Sequence, residues 1–266
     1  MRRVTFLTRD DAIVMASLAA ITLLAWLYLV GMARDMAEMG DMVGMPEMAD
    51  MAGMALVTAR APWMVGDVMT ATAMWAIMMA GMMLPTAVPM TLIYARAARG
   101  SGAAPLLHSA IFTTGYLAIW CGFALAAVAA QWLLLRFDLF APEMMVTNIL
   151  LGGALFIAAG IYEWSPLKNR CLAQCQSPLG FLIGHWRPGL TGAWRMGARH
   201  GTFCLGCCWA LMLLLFVGGV MNLLWVAALS ILVLVQKLLP GKRAAQSTGL
   251  VMLIVGLVLI GKAIVA

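Results

Sequence analysis

Charge is scarce in this sequence, and its scarcity excludes an ordinary soluble domain. Only 11% of the 266 residues are charged and 64% are hydrophobic, and the mean hydropathy is +0.96. Soluble domains are about one quarter charged. The composition also excludes disordered, collagen-like, coiled-coil and disulfide-rich secreted chains. Neither a Walker A motif nor a phosphorylated-aspartate signature is present, so nothing in the sequence indicates coupling to ATP hydrolysis.

What the sequence has instead is a series of long apolar runs. A transmembrane helix needs about 20 mostly apolar residues. Seven segments meet this length: 12–31, 68–93, 106–131, 146–164, 202–219, 221–239 and 248–265. The first is longer than the apolar core of a signal peptide, which favours a retained helix. We therefore predict an all-α, polytopic integral membrane helix bundle that forms a single membrane domain over residues 1–266.

The basic residues predict the orientation of this bundle. If the N-terminus is cytoplasmic, only Arg34, Arg60, Arg136 and Lys262 fall in outer segments. Because Lys and Arg concentrate on the cytoplasmic side, seven spans with the N-terminus inside and the C-terminus outside are expected. This distribution explains the net charge of +6 without nucleic-acid binding. We expect a cytoplasmic membrane protein whose longest loops are an extracytoplasmic Met-rich loop, 32–67, and a cytoplasmic Cys/His loop, 165–201.

The outer loop carries a methionine repeat mixed with acidic residues. Its glycines and Pro46 argue against a stable helix. A thioether is a soft, neutral ligand that selects Cu(I) over hard cations, and outside the cell it forms no disulfides. We predict that this loop captures copper. The candidate ligands recur every third residue: Met36, Met39, Met42, Met45, Met48, Met51 and Met54.

A second methionine group lies in the second apolar segment. Met78 and Met82 share one helical face with Met74, and Met79 and Met83 form a neighbouring stripe. These residues are candidate copper ligands within the membrane. Methionine is also an adaptable packing residue, so a purely structural role is the alternative.

Cysteine is concentrated near the start of the fifth segment, in the sequence R-H-G-T-F-C-L-G-C-C-W. On a helix, His200, Cys204, Cys207 and Cys208 lie on one side, because they are three or four residues apart. Thiolates and an imidazole together make a soft site for Cu(I) or Zn, whereas buried cysteines can also simply pack. From a rise of about 1.5 Å per residue, Cys207 and Met82 both lie about 8 Å above the inner boundary. We therefore expect the second and fifth segments to pack together.

Two further cysteines, Cys171 and Cys175, lie in the inner loop. They are candidates for a copper docking or exchange site on a short helix. A thiol pair that simply faces the membrane surface explains them equally well. Glu163 and Gln236, at the inner ends of two apolar segments, are functional candidates or helix-end caps.

These residues together resemble a bacterial family described as predicted metal-binding integral membrane proteins, which is linked to copper delivery for polyphenol oxidases of the tyrosinase type. The similarity covers residues 70–243, and the methionine repeat lies outside it. It leads us to expect Glu at the position of Gln236. The motifs that carry it are M-M-L-P at 82–85, S-P-L-K at 165–168, S-P-L at 177–179, M-G-A-R-H-G-T-F-C-L-G-C-C-W at 196–209 and G-V-M-N at 219–222.

Three functions are compatible with the sequence. The first is a Cu(I)-binding membrane metallochaperone, rather than an enzyme, that delivers copper to a cuproenzyme or to a soluble copper chaperone. The second is a thiol oxidoreductase that exchanges electrons with a quinone, which would explain the cysteines but not the methionine repeat. The third is a non-catalytic assembly subunit of a membrane complex.

Overall fold

The computed structural model describes residues 8–43, 63–137 and 148–265, together with residues 139 and 146; of residues 37 and 39–43 it describes only the backbone. Helices account for nearly all of these residues, and no β-strand occurs among them. The all-α prediction is confirmed. The helices are α1 (Arg9–Val43), α2 (Val65–Gly100), α3 (Pro105–Arg136), α4 (Ile149–Glu163), α5 (Pro166–Gln176), α6 (Pro178–His185), α7 (Gly189–Leu213), α8 (Leu215–Gly218), α9 (Leu223–Leu238) and α10 (Arg243–Val265).

Five of the described helical segments are long and apolar enough to cross a membrane: α1, α2, α3, α7 continued by α8, and α10. A sixth results if α4 and α5, which meet at a bend of 64°, are counted as one span. The predicted segments 146–164 and 221–239 are represented by the shorter helices α4 and α9. Both begin late because an asparagine side chain caps them: Asn148 caps α4 and Asn222 caps α9.

The prediction that residues 32–67 form a loop is wrong at both ends. Helix α1 continues to Val43, and α2 already begins at Val65. Between residues 32 and 43 the single helix-breaking residue is Gly40, which costs only about 1 kcal/mol in a run of good helix formers. Of the predicted outer ligands, Met36 lies on α1, half-buried. Four others lie outside the described residues: Met45, Met48, Met51 and Met54.

Residues 165–201, predicted as the cytoplasmic connection between two spans, are almost entirely helical, which exceeds the one short helix expected there. The Ser165 side chain caps α5 by accepting a hydrogen bond from the Lys168 amide, and Pro166 occupies the first turn. Pro178 likewise occupies the first turn of α6. Helix α7 begins at Gly189, whose φ of 77° suits glycine. The helix that contains the fifth apolar segment therefore begins well before residue 202.

Helices α3 and α7 pack in parallel at unusually short range, because glycine faces the partner backbone. A Cβ at Gly115 on α3 would fall well inside 3.0 Å of the Trp194 carbonyl oxygen. A Cβ at Gly197 on α7 would collide in the same way with the carbonyl oxygen of Phe112. Small residues at a helix interface allow this close approach. Helix α3 also packs along α2, so α3 holds α2 and α7 in one layer.

Two other pairs of helices run antiparallel. At the start of α1, Asp11 accepts hydrogen bonds from Arg96 at 3.1 Å and Arg99 at 3.3 Å, near the end of α2. Helices α4 and α10 pack through glycines: a Cβ at Gly160 would lie 2.9 Å from the carbonyl oxygen of Gly249. These contacts bring the start of α1 beside the end of α2, and the end of α4 beside the first half of α10.

Candidate metal centre

The three cysteines of α7 are all buried in the core. Cys204, Cys207 and Cys208 are at most 2% exposed. The thiols of Cys207 and Cys208 each donate a hydrogen bond to the Cys204 carbonyl oxygen at 3.0 Å. The thiol of Cys208 also lies close to that of Cys204. The spacing of three and four residues therefore brings the three thiols together, as the helical periodicity predicts.

Helix α5 adds two thiols to this group, which the sequence did not predict. The Cys175 thiol lies close to that of Cys207. The sulfur of Cys171 faces Gly206, where a Cβ would lie only 2.7 Å away. Glycine at this position therefore makes room for Cys171 against α7. These neighbouring thiols follow one another in the order Cys204, Cys208, Cys207 and Cys175, and we refer to these four residues as the thiol row.

The Cys204 end of the thiol row carries a ring of hydrogen bonds. The Lys237 ammonium group, on α9, donates to the sulfur of Cys204 and to the hydroxyl of Thr86, each at 2.9 Å. The Tyr116 hydroxyl lies 3.0 Å from the same sulfur and donates to the Met83 carbonyl oxygen at 3.2 Å. The Thr86 hydroxyl also donates to that carbonyl, at 2.8 Å. Cys204 is thus joined through hydrogen bonds to α2, α3 and α9.

The methionines of the second apolar segment lie beside this ring. Met78, Met79, Met82 and Met83 are at most 1% exposed and belong to the same hydrophobic core as the three α7 cysteines. Helices α2 and α7 meet largely through α3, whose Tyr116 lies between Met83 and Cys204. We expected the second and fifth apolar segments to pack directly against each other because they lie at the same depth. In the structure they are connected mainly through α3.

A second buried polar group holds α5 in place. The Lys168 ammonium group is ion-paired with the Glu163 carboxylate and donates to the Gln236 side-chain oxygen at 2.8 Å. The Gln236 amide donates to Glu163 at 2.9 Å. None of the three side chains is more than 2% exposed. At the other end of α5, Gln176 donates to the carbonyl oxygens of Gln236 and Leu239. Helix α5 is therefore fixed to α9 at both ends.

His200 lies one turn before Cys204, among aromatic rings. The ring centroids of Phe181, Tyr116 and Phe112 are 5.4, 5.7 and 6.1 Å away. The imidazole is 3% exposed, and its Nδ1 atom has no hydrogen-bond partner among the described residues. By contrast, Nδ1 of His108 and of His185 each lies within 3.0 Å of a backbone carbonyl oxygen of its own helix. His200 is therefore the buried histidine that has a free ring nitrogen beside the thiols.

These side chains do not form a ready-made coordination sphere. Within residues 8–43, 63–137 and 148–265, no group of three or more His, Cys, Asp or Glu side chains is arranged to hold a metal ion. The thiols face carbonyl oxygens, Lys237, Tyr116 and one another. A metal that binds here must therefore replace some of these hydrogen bonds.

Sequence reasoning missed the polar residues around the thiols. Lys168, Lys237, Tyr116 and Thr86 were not among the predicted site residues. The signal available for Lys168 and Lys237 was their position beside long apolar runs, since an intramembrane charge usually has a function. No local signal pointed to Tyr116 or Thr86.

The fold and the site define a class: an all-helical protein with several helices apolar enough to span a membrane and a buried group of thiols. The sequence matches the family model PpoB2, described as a copper chaperone, over residues 72–259. The chain therefore belongs to this copper chaperone family, and the predicted resemblance is confirmed. The match includes the whole thiol row and Lys237. Searches of curated proteins and of solved structures give no match.

Proposed function

We propose that this protein is an integral membrane copper chaperone that binds Cu(I) at the thiol row and passes it to a cuproenzyme or a soluble copper carrier. One observation supports this proposal most strongly. Two helices bring four thiols close together, three of them buried in the core, within the region that matches a copper chaperone family. Such a group of soft donors suits a soft monovalent ion.

The same donor set argues for Cu(I) rather than zinc. Structural zinc sites use four ligands in tetrahedral arrangement, and no such cluster occurs in the described part of the chain. The nearby thioethers of Met79, Met82 and Met83 are soft ligands for Cu(I). His200, with its free Nδ1 atom, adds a neutral nitrogen donor on the same side of α7.

We infer seven membrane crossings with the N-terminus inside, in a bacterial cytoplasmic membrane. Helices α4 and α9 are short for this purpose, about 22–24 Å long from 15 and 16 residues. Local thinning of the bilayer accommodates such lengths at modest cost. In this arrangement Arg96 and Arg99 lie at the cytoplasmic end of α2, beside the start of α1, in agreement with the charge bias of membrane proteins.

The arrangement of sulfur suggests a route for the ion. The methionine repeat from Met36 to Met54 captures copper outside, and the methionines of α2 lead it toward the level of Met83. From there the ion moves past Tyr116, whose hydroxyl contacts both the Met83 carbonyl oxygen and the sulfur of Cys204. The thiol row then leads to Cys175, which is half-buried rather than buried and so is the accessible end of the row. Cys171 lies one helical turn before Cys175 and is buried against Gly206 of α7.

A thiol oxidoreductase is the second candidate, because Cys175 and Cys207 lie close to each other across two helices. This pair joins a cysteine of α5 to a cysteine of α7. A Cys175–Cys207 disulfide that forms and breaks during turnover, together with bound quinone, would support this function. Tight copper binding with unchanged thiols would support the chaperone.

The test is an anaerobic Cu(I) titration of the purified full chain against a chromogenic Cu(I) chelator. We expect Cys204→Ser to weaken binding by on the order of tenfold or more, since a thiolate ligand is lost. Cys121→Ser is the matched control, because Cys121 is exposed on α3 and lies outside the thiol row. Equal affinities of the wild type and Cys204→Ser would contradict the proposal.

A further inference from the structure

Helix α7 carries buried side chains with nitrogen or sulfur donor atoms at regular intervals of four residues. They include Met196, His200, Cys204 and Cys208, each at most 3% exposed. A spacing of four residues on an α-helix places successive side chains about 6 Å apart along one face. Side chains also lean toward the N-terminus of their helix, so Cys204 leans toward His200 and His200 toward Met196. Donor atoms for a soft ion therefore continue past the thiol row toward the start of α7.

His200 offers a nitrogen that the fold leaves unused. Its Nδ1 atom is buried and has no hydrogen-bond partner among the described residues. A buried polar atom without a partner is unfavourable, and in a native structure it calls for an explanation such as a functional role. Imidazole nitrogen is a ligand that suits copper. An ion that leaves Cys204 toward the start of α7 meets this nitrogen one turn away.

Met196 connects the same face of α7 to the surface of the protein. Its sulfur accepts a hydrogen bond at 3.2 Å from the backbone amide of Arg187, in the connection between α6 and α7. Arg187 is exposed and lines a surface pocket of about 270 Å³ between this connection and the one that joins α2 to α3. The Met196 thioether therefore lies directly behind the wall of the pocket. In the proposed seven-span arrangement both connections lie on the cytoplasmic side.

We propose that His200 and Met196 form a second exit for Cu(I), which leads from Cys204 to this pocket. This proposal rests on the proposed function. The exit leaves the thiol row at the end opposite to Cys175. Imidazole and thioether are neutral donors, so they bind the cation without the attraction of an opposite charge and release it readily. They serve as transient ligands on the way out, and the thiols remain the site where copper is held.

Each step along this exit exchanges one ligand of the ion for the next. The bond between Cu(I) and the sulfur of Cys204 breaks as a bond to Nδ1 of His200 forms, and that bond breaks as the Met196 sulfur binds. Each donor atom keeps its own electron pair when its bond breaks. No electron is transferred, and copper remains Cu(I). An acceptor that enters the pocket then takes the ion from Met196.

The test measures how fast the copper-loaded full-length protein in detergent releases Cu(I) to an excess of bathocuproine disulfonate. Cys175→Ser is the background, since it removes the other proposed exit, and it should still release copper. In this background His200→Phe keeps an aromatic ring but removes the nitrogen, and Met196→Leu removes the sulfur. Each should slow release on the order of tenfold. The matched control is Met252→Leu, at a buried methionine of α10, which should not slow release.

Loss of release in Cys175→Ser would overturn the proposal, and so would equal rates with and without the substitutions at His200 and Met196. A second measurement leaves the thiol row intact and follows isotope-labelled methionine methyl groups of the wild type by NMR. Cu(I) in excess of the amount that fills the thiol row should shift or broaden the signal of Met196 and leave that of Met252 unchanged. An unchanged Met196 signal, or equal effects on both methionines, would overturn the proposed exit. Absence of Cu(I) binding by the wild type would instead overturn the proposed function.

Discussion

The buried ion pair of Glu163 and Lys168 allows a quantitative prediction about the stability of the bundle. Both side chains are fully buried, and Gln236 completes their hydrogen bonding. Replacing Lys168 by Met leaves the Glu163 carboxylate buried with only an amide as its partner. Loss of one partner of a buried pair costs about 3–5 kcal/mol, because the remaining charge is not compensated. Glu163→Gln should cost a similar amount by leaving the ammonium group of Lys168 unpaired.

The double variant Glu163→Gln with Lys168→Met removes both charges together. Buried ion pairs that are replaced by neutral groups of similar volume often leave stability unchanged. We therefore expect the double variant to lie within about 2 kcal/mol of the wild type. Because the two single losses sum to about 6 kcal/mol or more, the two substitutions should show a coupling energy of at least about 4 kcal/mol.

The assay is reversible unfolding of the purified chain in detergent micelles, followed by the circular dichroism of its helices. The four proteins of the cycle are measured under identical conditions, and copper is kept absent so that binding does not shift the equilibrium. Simple addition of the two single losses would refute the argument. It would mean that each side chain contributes independently, rather than through the charge of the other.

Two further predictions concern packing and copper uptake. Gly115→Ala should destabilise the protein by about 1–3 kcal/mol or more, because the new methyl group meets the rigid backbone of α7. The control is Gly122→Ala, on the same helix with open space around it. Equal melting temperatures of the two variants would contradict the prediction. Replacing the four methionines from Met45 to Met54 by Leu should slow copper loading of intact cells, measured as metal per cell, without changing the Cu(I) affinity of the purified protein; unchanged uptake would show that the repeat does not capture copper.

Local periodicity predicted the part of the site that lies on one helix. Cys204, Cys207 and Cys208 are three or four residues apart, so any helix at this position brings their side chains together. The structure keeps this relation and buries all three. The proximity of these three cysteines could be predicted without knowledge of the tertiary structure, because the helix alone determines their arrangement.

The contribution of α5 could not be predicted in this way. Cys175 reaches Cys207 because the chain bends by 64° between α4 and α5 and because Lys168 and Gln176 fix α5 to α9. Each of these contacts joins residues that are more than 30 positions apart in the sequence. No local sequence pattern predicts such contacts. Cys171 and Cys175 were therefore predicted as a pair separate from the cysteines of α7.

The extent of the helices was mispredicted for a related reason. Glycines and a proline within 32–54 favoured a loop, but helix-breaking residues act only near their own positions. Helix α1 therefore passes Gly40 and continues to Val43, before Pro46. Lys237 was not predicted to belong to the site, although its side chain turns into the core toward Cys204.

The central claim is that copper is held by the thiols of α7. The most direct measurement is the copper content per chain of the protein purified from copper-supplemented cells, determined by elemental analysis for the wild type and for Cys204→Ser/Cys207→Ser/Cys208→Ser. We predict at least one copper per chain in the wild type and almost none in the triple variant, with Cys121→Ser matching the wild type. Equal copper in the wild type and the triple variant would contradict the claim.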